Sequence, residues 1–246
     1  MGDGGVSGAI IAAGRGERLR AAVGDIPKPL VELGGEAMLV RQARMLRHAG
    51  AASVVALVNS ETARLLEARR LQLPDWLRLR VRDTASSMES LFALSDDLQA
   101  ASHFVLATVD SVAAPGELRS FTNRAAELSA PRGGRFDGAL AVVRWRGDRR
   151  PLFAAVGSDG AITALGEFQS AMVTAGFYWL PGTIFDLAPR ARAAGLDAMR
   201  RLLGMAVESG MRLAAIELSG AIDVDESADL AAARALVGAA PGAERE

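Results

Sequence analysis

The chain has 246 residues, half of them apolar, with 28 basic and 29 acidic side chains and a net charge of −1. That length suits one α/β domain over 1–246 with a substantial core, and the balanced charge excludes a general nucleic-acid binder, which needs a broadly basic face. No cysteine is present, which removes disulfides, thiolate metal sites and cysteine nucleophiles.

Residues 1–5 lack the charged and apolar regions of a signal peptide. Val6 stands where a myristoylation signal wants Ser or Thr, and no apolar run reaches bilayer length. The expectation is a cytoplasmic protein with no membrane partner. Val6 to Ala12 reads as a buried strand that stops at Gly14-Arg15-Gly16. Met38 to Ala49 has helical spacing, and Gly50 stops it. Ser53 to Val58 is a β-branched strand, and Glu61 to Leu71 an amphipathic helix ending near Pro74. Leu77, Leu79 and Val81 alternate with Arg78, Arg80 and Arg82, the pattern of a half-exposed strand near a sheet edge. Ser90 to Ala100 and Pro115 to Leu128 read as helices around a buried strand at Phe104 to Val109.

Ala139 to Val143 is the next strand. Leu152 to Val156 and Ile162 to Leu165 flank Gly157-Ser158-Asp159-Gly160, a hairpin signal. Met172 to Leu180 is an apolar strand. Helices are expected at Thr183 to Leu187, Asp197 to Glu208 and Glu226 to Val237, with a strand at Arg212 to Leu218. Residues 1–5 and 238–246 are expected to be disordered. Strands alternating with helices up to residue 130 predict a Rossmann-like three-layer α/β sandwich with a mostly parallel central sheet. Consecutive strands from Gly138 to Leu180 form a β-rich insertion, expected to cover one end of the sheet on the acceptor side. Ligands of open α/β sheets bind at the carboxyl ends of the strands, so the edge at Gly14 is the expected site.

The stretch Ala12-Ala13-Gly14-Arg15-Gly16-Glu17-Arg18-Leu19, followed by Pro27-Lys28-Pro29-Leu30, concentrates the chemistry. Two glycines one residue apart let the backbone turn tightly and aim N–H groups at an anion. Arg15, Arg18 and Arg20 follow, and the flanking prolines hold Lys28 on a stiff, non-helical segment. These are the parts of a polyphosphate cradle. A Walker A loop would need Gly-Lys-Ser/Thr, which is missing. A dinucleotide fingerprint would need a third glycine where Leu19 stands and a helix beginning at the loop.

Asp110 directly follows the strand ending at Val109, and Asp223 and Asp225 stand in Ile222-Asp223-Val224-Asp225. Hard carboxylate ligands at strand ends suit Mg²⁺ shared with substrate phosphates. The same aspartates are also read as caps of the turns or helices that follow. Ser86 with Glu89 forms a capping box, a sufficient reason for polar residues there.

With its GxGxR loop followed by Pro-Lys-Pro, the chain resembles the nucleotidyltransferase superfamily: sugar-phosphate nucleotidyltransferases (NDP-sugar pyrophosphorylases), related cytidylyltransferases and the MobA-like NTP transferase fold. The resemblance implies a Mg²⁺-dependent transfer of a nucleoside monophosphate from a nucleoside triphosphate to a phosphorylated small molecule, a sugar phosphate first of all, with release of pyrophosphate. It implies nucleotide contacts from Ala12, Ala13, Gly14, Arg15 and Gly16, catalytic roles for Arg18 and Lys28, and base contact from Thr84 and Ser87. It places metal at Asp110 and Asp225 with Asp223 in support, and the acceptor at Glu167, Thr174 and Gly176. The family's acceptor region usually reads Glu-Lys-Pro and then Asn-Ala-Gly-x-Tyr, whereas here Phe168 replaces the lysine and Thr174 the asparagine.

Those departures keep a rival open, a cytidylyltransferase acting on a phosphoalcohol or phosphonate. A molybdopterin nucleotidyltransferase fits less well, since its loop usually lacks Pro-Lys-Pro. From another class, a catalytically silent nucleotide-sensing subunit is the alternative, and intact Arg18, Lys28, Asp110 and Asp225 argue against it. The nucleobase and the oligomeric state, a homo-oligomer included, stay open. With only two histidines, the chain suits a phosphomonoester nucleophile, already largely dianionic at neutral pH, which needs no general base.

Overall fold

A computed structural model describes residues 6–147 and 151–238. Strand β1 (Val6–Ala12) is apolar almost throughout because both of its faces are buried. Ala9 and Ile11 enter one core while Ile10 and Ala12 enter the other, as strand alternation requires. Helix α1 (Glu17–Val23) begins at Gly16, so a helix does start at the glycine loop, and only the missing third glycine separates it from the dinucleotide fingerprint. The short strands β2 (Glu32–Leu33) and β3 (Glu36–Ala37) lead into α2 (Met38–His48), β4 (Ala51–Val58), α3 (Ser60–Ala68) and β5 (Leu77–Val81).

The helical reading of Ser90 to Ala100 is corrected to two short helices, α4 (Ser87–Phe92) and α5 (Ser95–Leu98), because Ala93 and Leu94 turn the chain between them. Strand β6 (His103–Thr108) is followed at once by a short strand, β7 (Ser111–Ala113), and by α6 (Glu117–Leu128). The remaining strands are β8 (Gly138–Arg144), β9 (Phe153–Val156), β10 (Ile162–Gly166), β11 (Met172–Pro181), β12 (Leu213–Glu217) and β13 (Ala221–Asp223). Helices α7 (Ala188–Ala193), α8 (Met199–Glu208) and α9 (Ser227–Gly238) complete the chain. The expected helix at Thr183 to Leu187 is a 3-10 turn over Gly182–Leu187. Of the segments expected to be disordered, Gly238 ends α9, and 1–5 and 239–246 lie outside the described residues.

The core of the sheet is parallel, with β1 between β6 and β4, and β5 at the outer edge beside β4. Its edge position explains the alternating arginines, two of which, Arg78 and Arg80, reach the Asp97 carboxylate of α5. One expectation is corrected here. The β-rich insertion does not cover an end of the sheet; it extends the same sheet, with β11 antiparallel to β6, β8 antiparallel to β11, and β12 parallel to β8. The β9–β10 hairpin pairs with β11 at Met172 and Val173, beyond the end of its pairing with β6. Helices α2, α6 and α9 pack on one face and α4, α5 and α8 on the other, each over its own apolar core, which makes three layers. The carboxyl ends of β1 and β6 therefore lie side by side, and the loops after them share one edge.

Candidate functional site

At that edge Gly16 has a φ of +62°, the left-handed region that glycine enters without cost. A Cβ at this position would lie 2.9 Å from the Cβ of Lys28, so the residue serves both the turn and the close approach of the lysine. Pro27 is extended, as expected of a proline-flanked segment, but Lys28–Leu30 then forms one 3-10 turn, which corrects the non-helical reading. Its two backbone bonds, Leu30 to Pro27 and Val31 to Lys28, need no N–H from Pro29, so the proline fits inside the turn. The turn buries Lys28 almost fully and aims its ammonium across the edge.

There Lys28 Nζ donates to Asp110 Oδ2 at 2.9 Å and to Asp225 Oδ1 at 2.7 Å. The second Asp225 oxygen, Oδ2, accepts from Arg18 Nη2 at 2.9 Å. Four residues singled out in the sequence thus form one chain of charge-assisted contacts. The device that joins them is the antiparallel ribbon of β7 and β13, which pairs Ser111 with Asp223, helped by Val224 N–H donating to the Asp110 carbonyl at 3.0 Å. Asp229 Oδ2 accepts from the N–H groups of Asp225 and Glu226 and shapes the start of α9.

Burial opposes a charge on Lys28, but Asp110 and Asp225 outweigh it and hold the ammonium pKa above its ordinary value. Crowding likewise works against a charged Asp225, yet the bonds from Lys28 and Arg18 prevail and keep its pKa low. Asp223 behaves oppositely. Surrounding protein crowds it and Asp110 repels its charge, so its pKa is raised despite a 2.5 Å hydrogen bond from Ser111 Oγ and the pull of Lys28. Its side chain still meets solvent, which tempers that upward push. Asp223 thus differs in charge balance from the nearby Asp110–Asp225 pair, and among the described residues no three acidic or imidazole groups converge as a ready metal cage. Two converging carboxylate oxygens around one cation do fit a hard divalent ion that completes its shell with phosphate and water.

A cleft of about 370 Å³ opens over this cluster, lined by residues 15–19, Lys28 and Asp225. Gly14 has open space around it, and the Arg15 side chain is 86% exposed at the rim, its guanidinium 4.0 Å from Glu17. Ala12 and Ala13 are buried under the loop, where Asn59 Nδ2 donates to the Ala13 carbonyl. Thr84 shares a 2.7 Å hydrogen bond with Ser90, and Ser87 Oγ accepts from the N–H of Met199, so the loop that starts α4 is tied to the start of α8. The capping box is half present: Ser86 Oγ accepts from Glu89 N–H, while the Glu89 carboxylate turns to Arg192 instead.

On the other flank Gly176 has a φ of +72° in an irregularity of β11, and a Cβ there would fall 1.8 Å from Ser111 Oγ. The pKa of the Tyr178 hydroxyl is pushed up by burial and by the charges of Asp223 and Asp110, with Arg200 and Thr174 acting against them. Glu167 is exposed and makes no hydrogen bond or ion pair among the described residues, and Phe168 lies against Phe153. Sequence reasoning assigned no role to Ser111 and Tyr178, which were within reach since they adjoin Asp110 and Gly176.

Comparison with curated protein sequences gives no match. Among solved structures, the chain resembles the inositol-1-phosphate CTP transferase from T. maritima, at a TM-score of 0.75 and 21% identity over 94% of each chain. A Bacillus anthracis protein assigned as a glucose-1-phosphate thymidylyltransferase superposes at 0.79 with 16% identity, over 97% of this chain and 98% of that one. The CTP:phosphocholine cytidylyltransferase from Streptococcus pneumoniae superposes at 0.71 with 15% identity, over 94% and 99%. At such identities the likeness establishes the fold. The family follows from the sequence profile of the MobA-like NTP transferase domain, which matches residues 8–176 and so takes in the glycine loop, Lys28, Asp110 and the β11 glycine. The chain belongs to that family and is a nucleotidyltransferase.

Proposed function

We propose that the chain transfers a nucleoside monophosphate from a nucleoside triphosphate to a phosphorylated small molecule, a sugar phosphate first of all, and releases pyrophosphate. The observation that carries this reading is the contact chain Arg18–Asp225–Lys28–Asp110 beneath the Gly14–Gly16 turn. Loop N–H groups with Arg15 and Arg18 would hold the leaving β- and γ-phosphates, and Lys28 would neutralise charge around the α-phosphate. Asp110 and Asp225 would hold Mg²⁺, which when bound would supply charge neutralisation at the reacting phosphates. An acceptor phosphate is already largely dianionic at neutral pH, with a second pKa of about 6, so alignment rather than proton removal is the task of the protein.

For the acceptor, Glu167, Thr174 and Gly176 would supply contacts, the last two on β11 beside Tyr178. Thr84 and Ser87 stand on the opposite loop, where a base would be met. Phe168 favours a second reading. Where the resembled enzymes carry a lysine, this chain places a ring packed near Phe153, and the loss of that cation counts against a common hexose 1-phosphate and leaves room for a phosphoalcohol or phosphonate acceptor.

The test is isotope exchange between pyrophosphate and each of five nucleoside triphosphates, with a panel of phosphomonoesters and phosphonates. Acceptor-dependent exchange supports transfer, and the active acceptor distinguishes the two readings. Nucleotide binding without exchange across the panel would point to a silent sensor.

A further inference from the structure

Lys28 and Arg18 hold three of the four carboxylate oxygens of the Asp110–Asp225 pair. Asp225 has both oxygens engaged, Oδ1 by Lys28 and Oδ2 by Arg18, and Asp110 Oδ2 is engaged by Lys28. A small divalent cation binds carboxylate oxygens at about 2.0–2.1 Å, far inside the space that the ammonium fills between them. Both cations cannot occupy it together. A metal seated between the two carboxylates therefore requires Lys28 Nζ to leave, and one that takes Asp225 Oδ2 requires Arg18 to release it.

The direction of that departure is restricted. The Lys28 Cβ is held against Gly16, where even one added carbon would come within 2.9 Å, and its backbone is fixed in the 3-10 turn. Only the outer bonds of the side chain are free to swing, and the open space is the cleft lined by the 15–19 loop. A buried ammonium stripped of its carboxylates and given no other anion is costly. A triphosphate in the cleft supplies that anion, and it offers Arg18 a new partner as well.

We propose that Lys28, assisted by Arg18, is an exchangeable counter-cation for the Asp110–Asp225 pair. It blocks divalent metal in the free protein and yields the carboxylates only when a triphosphate draws both cations to its phosphates. This inference rests on the reading that these two carboxylates take the metal. It makes metal and nucleotide binding mutually reinforcing, and by linkage the coupling is reciprocal. The enzyme would then not hold a metal without the nucleotide whose phosphates it must neutralise.

The experiment is Mn²⁺ binding to the whole chain without nucleotide, followed by electron paramagnetic resonance of the free ion. Wild type should bind weakly. Lys28→Met should bind at least about tenfold tighter, within the usual range of coupling between sites, although it loses affinity for triphosphate. The double variant Lys28→Met/Asp225→Asn should lose the gained site. Equal binding by wild type and Lys28→Met, or a gain that survives Asp225→Asn, overturns the proposal. Should Lys28→Met fail to fold, Arg18→Ala, changed at a half-exposed side chain, should still show tighter Mn²⁺ binding than wild type, and no gain there overturns it equally. The readout separates this inference from the function proposed above. Acceptor-dependent exchange by wild type with no Mn²⁺ gain in the variants refutes only the counter-cation role. A Mn²⁺ gain in a protein without exchange supports that role and refutes the transfer reaction.

Discussion

Lys28 Nζ lies 2.7 Å from Asp225 Oδ1 although 197 residues separate the two in the chain. Neither residue has a local reason to find the other. The contact exists because β1 and the β7–β13 ribbon end at one edge, and because Gly16 leaves room for the lysine beneath the loop.

Replacing that lysine tests its part in the reaction. Lys28→Ala should lose at least about 2 kcal/mol of transition-state stabilisation, the scale of one charge donor, which is a fall of about 30-fold in kcat/KM. Circular dichroism should remain native, since Lys28 lies on a single 3-10 turn outside the main sheet and its helices. Unchanged kcat/KM would remove Lys28 from the mechanism.

Asp110→Asn and Asp225→Asn should each raise the Mg²⁺ concentration that gives half-maximal rate, because each removes a hard anionic ligand. If one ion joins them, the double variant should cost less than the two single effects added together. A Mg²⁺ titration of initial rates checks this, and strict additivity would separate the two carboxylates.

Gly176→Ala should be more harmful than a backbone effect alone. The new Cβ would collide with Ser111 Oγ, which bonds Asp223, whereas Gly195, also at positive φ (+66°), has nothing within 4 Å of such a Cβ. Urea denaturation should show Gly195→Ala losing about 1 kcal/mol and Gly176→Ala about 2 kcal/mol or more. Equal losses would mean that β11 shifts aside at no cost.

The Asp97 pKa is held low first by its hydrogen bond from Arg80, with Arg78 adding to it. A carboxylate with a depressed folded pKa stabilises the protein above its unfolded pKa of about 3.9, and that contribution disappears as pH falls through the lower folded value. Both arginines are at least half exposed, so the contribution is modest. Asp97→Asn should lose about 1 kcal/mol at pH 7, and the deficit should shrink toward zero below about pH 4. Thermal melts of both proteins between pH 3 and pH 8 measure it; a deficit independent of pH would mean that packing, not charge, is lost.

The sequence by itself determined the elements whose cause is local. The continuous apolar run of β1 declares a strand buried on both faces, the alternation of Arg78, Arg80 and Arg82 with apolar residues declares an edge, and Gly14 with Gly16 and the prolines around Lys28 declare a tight, stiff loop. Boundaries and short elements were less legible. Ala93 and Leu94 carry no breaking residue, and the three-residue strands β7 and β13 are too short to show a period. What only the tertiary structure decided is who meets whom. It turned the insertion into an extension of the main sheet, joined Asp110 to Asp225 through that unannounced ribbon, set Asp223 against Ser111, and brought Gly176 of β11 against the same serine. The reason is physical. Composition and periodicity report how each residue relates to solvent and to its near neighbours in the chain, whereas a charged cluster depends on strand register and on close backbone approaches such as that at Gly16, which exist only once the sheet is assembled.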